Sequence, residues 1–275
     1  MAVSSGARVA TNINALNSYN ALNSISKKIG TVALRLSTGI RLNQAGDDPA
    51  SFTIARKMQA RSRAVAQAIN NVGDAKSVLA IAEGGLLNVS EILLTIKEKV
   101  SQSTNGTFGT DELNAIVTQV NDYLGEIDDI VKQTKFSDTK LLGGTFTGKV
   151  FQIGPDTGDT ITVGIGQTLD ASTLIGVASA TITNVAGLAT GVDNGINLVS
   201  NQIQYIGSLS NRLDFKETML AISKTNIDAA ISRMYDADLA KEQMDMMKLQ
   251  ILQNTATAQL AQANAAPQQY LQLFQ

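Results

Sequence analysis

Between Pro49 and Pro155 no proline interrupts the chain, and apolar residues recur there at sevenfold spacing: Met58, Val65, Val72, Leu79, Leu86, Leu93 and Val100. Three residues after most of them comes a second row, Ala68, Ala75, Ala82, Val89 and Ile96. An a/d seam sustained this far restricts Ala50 to Ser103 to one long helix packed on others, roughly 80 Å at 1.5 Å per residue. Small Ala at many seam positions predicts close approach to the neighbouring helices. The start is well specified too: Asp47 and Asp48 suit the positive end of the helix and Pro49 its first turn.

Three further seams follow the same logic. After the loop "STNGTFG", Thr110, Asp111 and Glu112 suit a helix start, and Leu113, Val117, Val120, Leu124, Ile127 and Val131 step by four and three. Val199, Ile206, Leu213, Leu220, Ile227 and Met234 repeat by seven, and Leu22, Ile25, Ile29, Val32 and Leu36 make a fourth row near the N-terminus. One seam alone describes any amphipathic helix; four in one chain predict a bundle. With 4% aromatic residues and no Trp, the core must be Leu, Ile, Val and Ala, which also favours packed helices. The middle differs. From Phe136 to about Gly191 Gly and Thr abound, and "KVFQIGPDTGDTITVGIG" reads as two strands around a Gly/Asp turn, with Phe151 and Ile153, then Ile161, Val163 and Ile165, alternating. The expected fold is mainly α, a long coiled-coil-like helical bundle with a small β-hairpin region in the middle of the chain.

Much chemistry is excluded. The chain has no Cys and no His, which removes disulfides, thiolate nucleophiles, Ser-His-Asp triads and His-ligated metals. A net charge of −2 gives no basic footprint for nucleic acid. No Sec-type signal peptide is visible at the N-terminus, and no run of apolar residues of membrane-spanning length is expected. Glu126, Asp128 and Asp129 read as a solvated helix face, and Asp156 and Asp159 as turn residues with no calcium-loop spacing. "GIGQTLDAS" lacks the Gly-Lys-Ser/Thr of a phosphate loop, and "NGT" and "NVS" match a glycosylation sequon of which the second falls inside a helix. Neither a catalytic nor a metal site nor a cofactor emerges.

The ends are the informative part. Residues 1–26 carry only Arg8, and Leu249 to Gln275 carry nothing ionised at neutral pH. Alone, such tracts bury too little apolar surface to offset the entropy of ordering, so two disordered tails would be the default. Yet the first runs into the Leu22–Leu36 row, and the second keeps Leu249, Ile251, Leu252, Leu260 and Leu271 among good helix formers. Both are able to fold if copies of the chain supply the missing burial. Stacked like charges in such an interface would repel and cost desolvation, which uncharged amides and hydroxyls avoid. The ends are suited to the inside of a polymer.

"LSTGIRLNQAGDDPASFTIA", "NNVGDAKSVLAIAEGGLLNVSEIL", "QTKFSDTKLLGG", "FQIGPDTGDTI", "ISRMYDADLAKEQ" and "QILQNTATAQLAQANAAPQQYLQLF" resemble bacterial flagellins over nearly the whole chain. The resemblance implies a structural subunit of the extracellular flagellar filament, a homopolymer that serves swimming. It implies inner-core terminal helices at 1–45 plus 235–275, a helical bundle with hairpin at 46–164 plus 191–234, and a vestigial variable outer region at 165–190. Export through the flagellar type III apparatus, a flagellin export chaperone, and filament cap and hook-associated proteins are the partners it implies, without nucleic acid or membrane insertion. Two departures stand out. Ser137-Asp138 replaces the common Asn-Gly, and in "LLTIKEKVSQ" Thr95 and Lys99 stand where flagellins recognised by the vertebrate Toll-like flagellin receptor carry Arg and Leu. Weak or absent receptor activation is expected. A hook–filament junction protein is the nearest alternative, and the "QILQNTATAQLAQAN" ending argues against it. A soluble coiled-coil adaptor or secreted adhesin would instead have folded termini in a small fixed oligomer.

Overall fold

The computed structural model describes residues 11–272, without the side chains of residues 186 and 268–272. The helices are α1 (Ile13–Thr38), α2 (Pro49–Ser103), α3 (Thr110–Gln133), α4 (Ala171–Ile175), α5 (Leu188–Tyr235) and α6 (Leu239–Gln272). Between α3 and α4 lie two antiparallel strand pairs, β1 (Lys135–Phe136) with β2 (Thr139–Lys140), and β3 (Phe146–Gln152) with β4 (Thr160–Ile165). The expected mainly-α bundle with a small β region is the observed fold. The chain forms two compact units. One comprises residues up to 60 and from 227 onward, the other residues 61–226, so α2 and α5 contribute to both.

The larger unit is built on the seam of α2. Val65, Val72, Leu79, Leu86, Leu93 and Val100, with Ala68, Ala75, Ala82, Val89 and Ile96, are all buried. α5 supplies Val199, Ile206, Leu213 and Leu220. It runs antiparallel to α2, since Lys76 pairs with Asp214 (2.6 Å) and Glu217 (2.9 Å) while Lys97 pairs with Asp193 (2.7 Å). Hydrogen bonds to Asp214 and then Glu217 raise the Lys76 pKa. α3 buries Ile116, Val120, Leu124, Ile127 and Val131. Its first step is therefore Ile116 rather than the expected Val117, which is half-buried. The close approach anticipated for α2 is found instead between α1 and α6, whose Cα atoms come within 8 Å along the pair. On α2 the alanines alternate with Leu and Val layers, and those larger side chains set the spacing. α2 also contains an 18-residue window of mean hydropathy 1.5, apolar enough by length and composition to cross a membrane. No such run was expected; it arises because off-seam residues such as Ile81 and Leu87 add to the buried seam.

The β region is pinned to this unit by side chains. Asn71 Nδ2 on α2 donates to Gln152 O at 2.9 Å. The turn expected from its Gly and Asp residues closes on itself: Ile153 N donates to Asp159 O (2.8 Å) and Asp156 N to Asp159 Oδ2 (3.3 Å). In the smaller hairpin Ser137 sits at φ 52°, a left-handed conformation in which its Cβ is disfavoured. The Ser-Asp departure is thus tolerated at a strained position.

Residues 166–187 pack into the unit through Leu169, Ala171, Leu174, Ile175, Ala180 and Val185. Asp128, expected on a solvated face, accepts from Ala171 N at 2.9 Å and anchors this segment to α3. Asp170 caps α4, and its hydrogen bond from Thr173 lowers its pKa. α5 begins at Leu188, and Gly191 and Gly195 on its first turns lie against the carbonyls of Ile175 and Leu174. A methyl group at residue 191 would collide with that backbone. Gly191→Ala is expected to destabilise the chain by about 1–3 kcal/mol, read as a lower urea midpoint by circular dichroism.

Candidate assembly surfaces

The motif around residues 36–52 makes one corner of the terminal unit. α1 ends at Gly39, whose φ of 68° is the left-handed cap and whose N–H donates to Arg35 O at 2.8 Å. The following residues pair with the α5–α6 connection: Arg41 N donates to Tyr235 O (2.8 Å), Ala237 N to Gly39 O (2.9 Å), and Arg41 Nη2 to Met234 O (2.8 Å). Leu42 is buried beneath. Asp47 Oδ2 accepts from Asn43 N and Gln44 N, closing the loop. Asp48 Oδ1 accepts from Ser51 N at 3.1 Å, which caps α2, and hydrogen bonding from the Ser51 side chain and then its backbone holds the carboxyl below its usual pKa.

α1 and α6 lie antiparallel, with Asn12 beside Ala263 at one end and Arg35 beside Glu242 (3.4 Å) at the other. That register sets the charge-free stretch of α6, from Leu249 on, against the charge-free first half of α1. Where charge resumes, Lys28, Arg35, Asp245 and Lys248 line a groove of about 390 Å³. Pro267 lies inside α6, which continues through it to Gln272. A proline there cannot donate to the carbonyl of residue 263. Asn12 Nδ2 donates to that same carbonyl, while Asn12 Oδ1 caps α1 by accepting from Ala15 N (3.0 Å). One side chain thus replaces the lost helical bond and starts the partner helix.

The expected terminal residues divide by face. Val32 is buried, and Leu22, Ile25, Ile29, Leu36, Leu249 and Leu260 are half-buried in the pair. Ile251 and Leu252 are exposed, and the side chain of Leu271 lies outside the described residues. In the bundle seam, Met58, Ile227 and Met234 are half-buried, the remaining seam residues buried. Thr95 and Lys99 are half-buried on α2.

The sequence pattern did not single out the rest of the outer faces. Ile13, Leu16, Tyr19 and Leu34 on α1, and Leu239, Met244 and Met247 on α6, are 47–61% exposed and join Ile251 and Leu252 there. Their signal in the sequence is a large apolar residue outside any a or d position. A two-helix pair with so much apolar surface uncovered has the character of a self-assembling structural subunit.

Comparison with known proteins gives the family. The model of the bacterial flagellin N-terminal helical region matches residues 9–147, and that of the bacterial flagellin C-terminal helical region matches residues 189–274. Flagellin of Bacillus subtilis is 34% identical over 97% of this chain and 99% of its own. Flagellin of Halalkalibacterium halodurans is 33% identical over 96% and 98%. Among solved structures, Bacillus cereus flagellin superposes with a TM-score of 0.50 at 25% identity, covering 59% of this chain and 94% of its own. Bacillus cereus FlgL shares the fold at 16% identity, with a TM-score of 0.51 over 64% of this chain and 98% of its own. The chain belongs to the bacterial flagellin family, and it is a structural subunit of the flagellar filament.

The Asn12–Pro267 pairing is testable by a double-mutant cycle. Asn12→Ala should cost filaments about 1–2 kcal/mol by leaving a carbonyl unpaired. In a Pro267→Ala background the helix satisfies its own carbonyl, so the same change should cost clearly less. Filament melting by calorimetry reads both.

Proposed function

We propose that the terminal helices, residues 1–45 and 235–275, form the inner core of an extracellular filament, with residues 46–164 and 191–234 outside them. Segment 165–190 stands in this scheme where larger flagellins carry their variable outer domains. The observation that carries the reading is the uncovered apolar face of α1 and α6, of which Ile13, Leu16, Tyr19, Ile251 and Leu252 lie on the stretches without charge. Leu22, Ile25, Ile29, Val32, Leu36, Leu249 and Leu260 hold the pair together, while Ile251 and Leu252 face sister copies. Copies crowding around the pair bury the outer rows and supply the free energy that one chain lacks. Unionised amides and hydroxyls let many copies stack without accumulating like charge.

Export in an unfolded state through the flagellar type III apparatus, a chaperone on the C-terminal segment, and cap and hook-associated partners complete the scheme. Their support is the family resemblance. Removal of the chain from Leu249 onward should leave the α2–α3–α5 unit folded and abolish filament growth, scored by electron microscopy. In hydrogen exchange, roughly the first and last forty residues should exchange rapidly in the monomer and slowly in filaments.

A separate consequence concerns Thr95 and Lys99. A guanidinium donor and an apolar contact are both missing from the receptor segment, so the disassembled monomer should activate the Toll-like flagellin receptor weakly. Full potency in a reporter-cell assay would remove that reading.

A further inference from the structure

The larger unit leaves two apolar rows uncovered on different helices. On α5, Phe215, Met219 and Ile222 are exposed, and on α2 so are Leu87 and Leu94, each between 53 and 78%. None belongs to a seam. At about 100° per residue the α5 residues span a sector of about 60°, and the two leucines one of about 20°. Each row carries exposed, unpaired charge on one flank: Arg212 and Lys216 beside the α5 row, Glu91 and Glu98 beside the α2 row. The other flank of the α2 row holds Glu83, half-buried, and Lys97, already paired with Asp193. Arg212, Lys216, Glu91 and Glu98 enter no ion pair among the described residues.

Resting on the filament role above, we propose that the α5 row of one copy seats on the α2 row of a neighbouring copy. Phe215 meets Leu94, Ile222 meets Leu87, and Met219 fills the space between the leucines. Arg212 then stands within one residue of the level of Glu98, on the same flank, and Lys216 within two residues of the level of Glu91.

Three physical features select this arrangement. The first is flank. Going round each helix in the direction of the chain, these four charges lie on the same side of the apolar row. Two antiparallel helices placed face to face bring such flanks together, whereas two parallel helices put them on opposite sides. Since α2 and α5 are antiparallel within a chain, copies that all point one way along a polar filament present them to each other antiparallel as well. The second is register. One heptad away Phe215 would meet Leu87, but Ile222 would meet Ala80, and Lys216 and Glu98 would lose their opposite charges. The third is growth. The two rows are different patches, so the contact is head-to-tail and leaves each copy with one free row of each kind, as an open polymer requires.

The register also fixes a stagger. Within one chain Lys76 lies level with Asp214, which sets residue 215 level with residue 75. Across the contact residue 215 is level with residue 94, a shift of nineteen residues, or about 28 Å at 1.5 Å per residue. Neighbours joined through these rows are offset by that distance along the helices.

The chain has no cysteine, so introduced thiols are the only ones. A Leu87→Cys/Ile222→Cys variant, copolymerised with an equal amount of unsubstituted chain, should be linked by a short bismaleimide into covalent dimers and longer ladders in filaments but not in dilute monomer. The Leu87→Cys/Phe215→Cys variant, out of register by seven residues or about 10 Å, should link at least tenfold less. Filaments that carry the first variant without ladders, or in which the second links equally well, overturn the contact and leave the filament role standing. Unsubstituted chain that never forms filaments overturns the role and the contact together. Should the cysteine variant be left out of filaments, charge exchange decides: Arg212→Glu should raise the critical concentration several-fold, and adding Glu98→Arg should restore it. Failure of either effect counts against the contact.

Discussion

The terminal helices contain enough apolar surface to pair but not enough to stop there, and the rest of the molecule is arranged around that shortage. α1 and α6 bury one thin row between them and leave a second row on each in contact with solvent. In an ordinary domain that second row would be covered by another layer of the same chain. In the filament core proposed here the missing layer is more copies of the chain. The proposed core also accounts for the composition of the ends, because a face covered by identical faces gains nothing from charge.

The larger unit obeys the opposite rule. Its α2 seam is covered throughout by its own chain, with Leu, Ile and Val from α3 and α5 closing the layers. Ion pairs from Lys76 and Lys97 sit on the exposed margin and set the antiparallel register of α2 and α5. At such exposure they contribute little to stability, and their value is in fixing which residues lie level. That register is what makes the unsatisfied rows at Phe215 and Leu87 interpretable as two halves of a contact. A unit that is complete inside and incomplete at two surface rows is suited to holding its shape while joining neighbours.

Much of this was legible in the spacing of apolar residues. The sevenfold row from Met58 to Val100 predicted a single long helix, and α2 spans Pro49–Ser103. Alternation around "GPDTGDT" located the hairpin, because a two-residue period has no other use. What spacing could not supply was any feature that depends on a partner distant in the chain. Asp128 resembled a solvated acid until the Ala171 amide was placed beside it, and Val117 and Ile116 were equivalent until α3 had a side to face. Gly191 and Gly195 were two among many glycines, and only the carbonyls of Ile175 and Leu174 show why side chains are excluded there.

By itself the sequence determined that the chain would be helical, that its ends would carry almost no charge, and that no cysteine or histidine chemistry was open to it, since composition and periodicity are properties of residues one at a time. Only the tertiary structure decided that the two uncharged tracts lie in register against each other, and that the carbonyl left over by Pro267 is taken by Asn12. Those facts join residues some 250 positions apart in the chain. No local pattern encodes them, because they follow from the antiparallel path that packing imposes on α1 and α6.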